Sequence, residues 1–258
     1  PDGHSWAPIG NDQDYSGTFD GAGHTIHGMV VNSSKNQGMG FVGYLDTEGV
    51  IKNLALGKDC SVTGSVLYVG GLCGRNEGFI SNCCNGATVT GENGSPYVGG
   101  ICGQNMGGRI TNCYNTGAIT GDRIVGGVCG SSYNDGIITN CYWLDTSAST
   151  GVSGGSSEVT KKTAQQFASG EVTYLLNGGN TQSPVWRQNV DQGTKDALPV
   201  LDSSHGVVYR WLYCDNKTAC TYSNSERSGT IHGNYTADGF CACGEKYQPA
   251  AKNDSGVY

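Results

Sequence analysis

The sequence predicts a mainly β fold. The expected architecture is a short parallel β-solenoid (β-helix) of about five rungs, a small α+β cap and a Cys-rich C-terminal module. Three observations predict it. Four segments of the first 145 residues align on one another. Glycine supplies 43 of 258 residues, about twice its ordinary share. Within each repeat the apolar runs are short and separated by Gly and Asn, with no ten-residue stretch of helical period.

The aligned segments are GFVGYLDTEGVIKNLAL from residue 40, GGLCGRNEGFISNCCNGATVTG from 70, GGICGQNMGGRITNCYNTGAITG from 99 and GGVCGSSYNDGIITNCYWLD from 126. GHTIHGMVV from 23 reads as an earlier, degenerate copy. A repeat of about 28 residues holding two or three short strands cannot bury its own apolar face, but stacking on its neighbours buries it. Each repeat is then one rung, and equivalent residues form ladders. Ile26, Ile51, Ile80, Ile110 and Ile138 are the expected aliphatic spine, with spacings of 25, 29, 30 and 28. Val62, Val89 and Ile119 form a second ladder. Asn53, Asn82, Asn112 and Asn140 form a third, with Gly28 in their place in the first rung. Stacked Asn amides hydrogen-bond along the axis, and Asn tolerates a left-handed corner. Gly43, Gly74, Gly103 and Gly130 recur at a position read as a turn needing positive φ.

Composition narrows the function classes. The net charge is −7, the pI about 5.1, and only 14% of residues are charged. An acidic chain without basic runs is a poor partner for nucleic acid, where neutralising phosphates supplies most of the affinity. Anionic membrane surfaces are disfavoured for the same reason, and no apolar run approaches the length of a spanning helix. Pro1 is not a natural start, so the chain reads as a piece of a longer protein. Twelve cysteines in a Gly-, Ser-, Thr- and Asn-rich chain suggest an extracellular, surface-attached protein.

The pattern GGLCGxNxGxIxNCYNxGxVTG, with the opening YSGTFDGAGHTIHGM, resembles the GLUG-type repeats of bacterial cell-surface proteins. The resemblance covers residues 15–145. KKTAQQFASGEVTYLLNGG and LPVLDSSHGVVY resemble the segment that follows such repeats in surface proteins of gut anaerobes. It implies a surface-displayed adhesive or spacing module and no defined reaction. Where these repeats usually carry an apolar residue in GGLVG, this chain carries Cys.

Those cysteines occupy two ladder positions: Cys73, Cys102 and Cys129, and Cys83, Cys113 and Cys141. The preceding rung has Val42 and Leu54 there, so both positions face the core. Because both switch together, three intra-rung disulfides are expected: Cys73–Cys83, Cys102–Cys113 and Cys129–Cys141. Each would close a loop of about ten residues, worth on the order of 2–3 kcal/mol. The competing reading is inert buried thiols acting as small hydrophobes; a metal ladder is the third. Cys60 and Cys84 would supply a fourth bridge.

Residues 146–162 are rich in Ser, Thr and Gly and read as a linker. Thr163 to Asn177 is the one convincing helical stretch, divisible at Ser169-Gly170 and stopped by Gly178-Gly179. With Trp186, Leu198, Val200 and Leu201 it would form the cap, giving segments 1–145, 146–204 and 205–258. In the last, Cys214, Cys220, Cys241 and Cys243, with His232 between the pairs, either form disulfides or hold zinc. GNYTADGFCACGEKYQPA resembles small tail modules of the same surface proteins, although their CxxC is CxC here.

Catalysis on a β-helix needs carboxylates gathered on one sheet face. Asp20, Asp46, Glu48, Glu77, Glu92, Asp122 and Asp135 share no repeat position and fall near expected turns. His24 and His27 read as a first-rung edge, and Asp202-Ser203-Ser204-His205 as a turn rather than a triad. The rungs lack the acid of calcium-binding nonapeptides. The expected function is a non-catalytic surface module, monomeric, that spaces distal domains or binds a host or neighbour-cell glycan or protein. Tyr97, Tyr114, Tyr133 and Tyr142 are the expected ligand-facing aromatics. The alternative is a carbohydrate-active β-helix enzyme, a polysaccharide lyase or hydrolase.

Overall fold

The computed structural model describes residues 5–11, 13–33, 37–154, 159–190 and 194–208, and the backbone of 212–214 and 230–232. The chain divides into two compact units, Pro1–Thr163 and Ala164–Tyr258.

The first unit is a parallel β-solenoid with four walls. The first wall is a nine-stranded sheet running from Thr18–Asp20 through Val50–Leu56 and Phe79–Asn85 to Val159–Lys162. The second stacks Val30–Ser33, Ser61–Gly64, Thr88–Gly91 and Ile119–Thr120. The third stacks Gly38–Met39, Tyr68–Gly70, Tyr97–Gly99 and Ile124–Gly126. The fourth stacks Val42–Leu45, Cys73–Asn76, Cys102–Met106, Cys129–Tyr133 and Val152–Gly154. All four walls are complete for four turns, and the first and fourth run further into partial rungs.

The in-register pairing of Ile51, Ile80, Ile110 and Ile138 confirms the aliphatic spine. All four are buried, and each contributes roughly 1.5–3 kcal/mol of hydrophobic stabilisation. Val62, Val89 and Ile119 pair as expected, and Val31 precedes them. The first rung differs from expectation. Phe19, not Ile26, pairs with Ile51, and Ile26 pairs with Leu56. Ala22 and Gly23 form a turn with positive φ between them, so this rung reaches the corner by an extra turn that the later copies lack.

Asn53, Asn82, Asn112 and Asn140 all adopt positive φ, between 52° and 54°. Each amide donates to the one below: Asn82 Nδ2 to Asn53 Oδ1 (3.2 Å), Asn112 to Asn82 (3.2 Å) and Asn140 to Asn112 (2.8 Å). Asn53 Nδ2 ends the ladder on Asp20 Oδ1 at 3.0 Å. Two inner ladders join Asn76 to Asn105 and Ser132, and Asn85 to Asn115 and Ser147.

Gly43, Gly74, Gly103 and Gly130 do form a ladder position in the fourth wall, but none has positive φ. Close approach is what requires glycine there. A Cβ on Gly103 would sit 2.7 Å from Val69 N, and one on Gly74 2.8 Å from Gly38 Cα. Backbone of the fourth wall thus rests directly on backbone of the third.

Part of the expected linker is solenoid: Val152 pairs with Cys129, and Val159 with Cys141. The second unit carries the expected helices, α1 (Ala164–Ala168) and α2 (Glu171–Leu176), divided at Ser169-Gly170. Phe167, Val172, Leu176, Trp186, Val190 and Val208 are its buried apolar residues. Leu198, Val200 and Leu201 are half-buried, and Arg187 bridges Val200. Leu212–Cys214 and Thr230–His232 pair antiparallel.

Candidate functional site

The described cysteines are free thiols: neither the three expected bridges nor the Cys60–Cys84 alternative is formed. Cys73, Cys102 and Cys129 lie in the fourth wall, Cys83, Cys113 and Cys141 in the first. Their sulfur contacts run along the axis, to the neighbouring rungs. The Cys102 thiol is within hydrogen-bond reach of Cys73 and Cys129, and Cys113 of Cys83 and Cys141. Cys60 is occupied by backbone, accepting from Met29 N and donating to Ile26 O, both at 3.3 Å. Cys84 instead meets Tyr114. Burial pushes Cys102, Cys113 and Cys129 well up and Cys84 to about 12. Thiols that stay protonated are poor nucleophiles and poor metal ligands, so these ladders act as core.

Of the tail set Cys214, Cys220, Cys241 and Cys243, only the backbone of Cys214 is described; the other three lie outside the described residues. Zinc coordination there belongs with them. Among the described residues no three His, Cys, Asp or Glu side chains gather as a metal set.

The weighed acids and histidines have individual local partners. Asp20 bonds Ala22 N and Asn53 and pairs with Lys52 (3.3 Å), and the Ala22 N–H in particular lowers its pKa. Asp46 accepts from Thr47 N, and Glu77 pairs with Arg75. Glu48, Glu92, Asp122 and Asp135 are exposed. His27 Nδ1 meets Asp59 Oδ1 at 3.1 Å, while His24 is exposed. His205 lies on a turn closed by its N–H to Asp202 O, and its Nδ1 meets Asp196 Oδ2 at 2.6 Å. Asp196 also accepts from Asn189 N, so the pair clamps two loops of the second unit.

The expected aromatics separate. Tyr114 and Tyr142 are buried, at 3% and 7% exposure, and cannot face a ligand. They stack in one ladder after Cys84, and the Tyr142 hydroxyl donates to Asn140 Oδ1 at 2.5 Å. Tyr133 is exposed beside Met106. Tyr97 is half-buried and belongs to an aromatic column that sequence reading missed. Tyr68 pairs with Tyr97, their rings stacked with centroids 5.7 Å apart. Tyr44 meets Tyr68 edge-on at 6.1 Å. The recurrence of YVGG at 68 and 97 was the available signal.

Tyr44 belongs to the fourth wall and Tyr68 to the third, so their contact marks the corner where the two walls meet. One column of this corner is Tyr68, Tyr97 and Ile124. The facing column, in register, is Tyr44, Arg75, Gln104 and Ser131. Between them lie the Gly74, Gly103 and Gly130 backbones. Arg75 Nε, Gln104 Oε1 and Ser131 Oγ are buried and have no hydrogen-bond partner among the described residues. Each such group costs about 1–3 kcal/mol. Three in consecutive rungs of one column are unusual, because the other polar ladders of this solenoid are knitted to one another.

Comparison with known proteins agrees with this architecture. The GLUG motif matches residues 94–120, the rung that contains Tyr97 and Gln104. Over 142 residues, 54% of this chain, the sequence is 31% identical to Halomucin of Haloquadratum walsbyi. Over 78 residues, 30% of the chain, it is 33% identical to a "Putative Gly-rich membrane protein" of Evansella cellulosilytica. The chain spans 1% and 9% of those two relatives. A crystal structure of a "putative immunoglobulin A1 protease" from Bacteroides ovatus superposes with a TM-score of 0.52, over 77% of this chain and 81% of that one. At 18% identity the likeness is one of fold alone. The matched motif recurs in register on the rungs around it, so the chain is a β-solenoid that carries GLUG-type repeats.

Proposed function

We propose that the chain is a non-catalytic ligand-binding module of a cell-surface protein, with the Tyr68–Tyr97 corner as its binding face. The observation that carries this is the column of unpartnered polar groups, Arg75 Nε, Gln104 Oε1 and Ser131 Oγ, across the corner from the Tyr68–Tyr97 column. The weighed acids support a role without turnover: Asp20, Asp46 and Glu77 are engaged with local partners, and Glu48, Glu92, Asp122 and Asp135 stand exposed. A surface location is supported by the likeness to Halomucin and to a protein named for the membrane. A spacing role is compatible with the same rod.

A broad glycan array tests the proposal when both retention of the protein and the amount of printed glycan are followed. Retention with the glycan intact is expected. Progressive loss of any printed glycan would establish turnover and overturn it.

A further inference from the structure

We infer that the corner binds a neutral glycan chain laid parallel to the solenoid axis, about one sugar per rung; this deepens the proposed function and rests on it. Rungs of a parallel solenoid repeat every ~4.8 Å, close to the length of one pyranose ring. A chain of sugars therefore meets equivalent positions in successive rungs without losing register. A peptide strand advances ~3.3 Å per residue and drifts out of step.

The chemistry of the corner fits hydroxyl groups. Gln104 Oε1 needs a donor, Arg75 Nε needs an acceptor, and Ser131 Oγ takes either. A sugar hydroxyl both donates and accepts, so one kind of group satisfies all three. Gln104 is only 3% exposed, so its oxygen is closed to solvent and a hydroxyl reaches it only when the side chains beside it give way. Half-buried Tyr68 and Tyr97 stand on the facing column with their rings stacked on one another, so they offer a sugar chain their edges and hydroxyls. Arg75 is neutralised by Glu77, two residues along the same strand end. The chain around it is acidic. An anionic ligand is therefore disfavoured, and no carboxylate lies in the two columns to attract a cationic one.

The test is titration calorimetry of the whole chain with cellohexaose, maltohexaose and mannohexaose, together with hexagalacturonate and a hexameric chitosan. At least one neutral hexasaccharide is expected to bind. Tyr68→Ala and Tyr97→Ala should each weaken it by about tenfold or more, whereas Phe79→Ala, on the first wall, should not. Gln104→Met keeps the shape and removes the orphaned oxygen. It should raise the melting temperature and still weaken binding, which a merely structural glutamine would not do. Binding of none of the neutral chains, or of only the charged ones, overturns the inference. So does neutral binding that survives Tyr68→Ala and Gln104→Met. Retention of some other class on the array would leave the proposed function standing while this inference falls; consumption of a glycan removes the proposed function itself.

Discussion

Asn82 and Asn53 hold the corner of adjacent rungs in the same left-handed conformation, φ 52° and 53°, and Asn82 Nδ2 donates to Asn53 Oδ1 at 3.2 Å. One residue type thus meets two demands, a strained backbone angle and a hydrogen bond along the axis. The two parts separate by mutation. Asn82→Ala loses both ladder bonds and the polar side chain that lets asparagine tolerate the left-handed region, for a total of about 2–4 kcal/mol. Asn82→Gly loses the bonds alone and should be milder by about 1 kcal/mol. Urea unfolding measures both; equal losses would mean that the backbone angle is unimportant here.

The glycine ladder of the fourth wall makes a contrasting prediction. Gly103→Ala puts a Cβ 2.7 Å from Val69 N, where backbone must move. Gly94, at φ +80°, has open space around its Cβ position, so Gly94→Ala carries only the conformational penalty of about 1–2 kcal/mol. Thermal unfolding should rank Gly103→Ala as clearly the worse. The opposite order would contradict the close approach of the two walls.

The buried thiols dictate an alkaline limit. Cys84 is pushed up from 9.0 to about 12 by desolvation, and Cys102, Cys113, Cys129 and Tyr114 are raised by the same cause. These groups lose their proton more readily when unfolded. Their contribution to stability is therefore complete below pH 9 and declines as pH rises toward 12, at about 1.4 kcal/mol per pH unit for each thiol. Denaturant midpoints should be level from pH 7 to pH 9 and fall steeply by pH 11. A midpoint that stays level to pH 11 would refute thiol burial.

The same ladders predict chemical silence. The eight described cysteines should resist a thiol reagent in the native protein and react in denaturant. With Cys214, Cys220, Cys241 and Cys243 replaced by serine, adding a reductant should leave the melting temperature unchanged. A drop in melting temperature on reduction would show bridges in their place.

Much of this was legible in the sequence because repeats convert one observation into four. Ile51, Ile80, Ile110 and Ile138 could be aligned on each other, and the structure pairs them residue for residue. The register failed where the repeat degenerates: the Ala22-Gly23 turn shifts Ile26 away from the spine and gives its place to Phe19. Joint replacement of Val42 and Leu54 by cysteines correctly signals core, but core membership does not say which wall or which sulfur is nearest. That is set by the ~4.8 Å rung repeat. Tyr114 and Tyr142 share a repeat position, as Tyr68 and Tyr97 do, and spacing alone does not reveal which pair is buried. The partial rung at Val152 and Val159 was hidden because its Ser- and Gly-rich composition matches that of a linker. The orphaned atoms of Arg75, Gln104 and Ser131 exist only as a consequence of packing, and the sequence carries no sign of them.

Tyrosine nitration followed by peptide mass analysis, with and without an equimolar mixture of cellohexaose, maltohexaose and mannohexaose, tests the binding face most directly. Without glycan, Tyr68, Tyr97 and Tyr133 should be modified, and buried Tyr114 and Tyr142 spared. With glycan, Tyr68 and Tyr97 should be protected and Tyr133 unchanged. Protection at Tyr133 instead, or equal modification of Tyr68 and Tyr97 in both samples, would contradict the account.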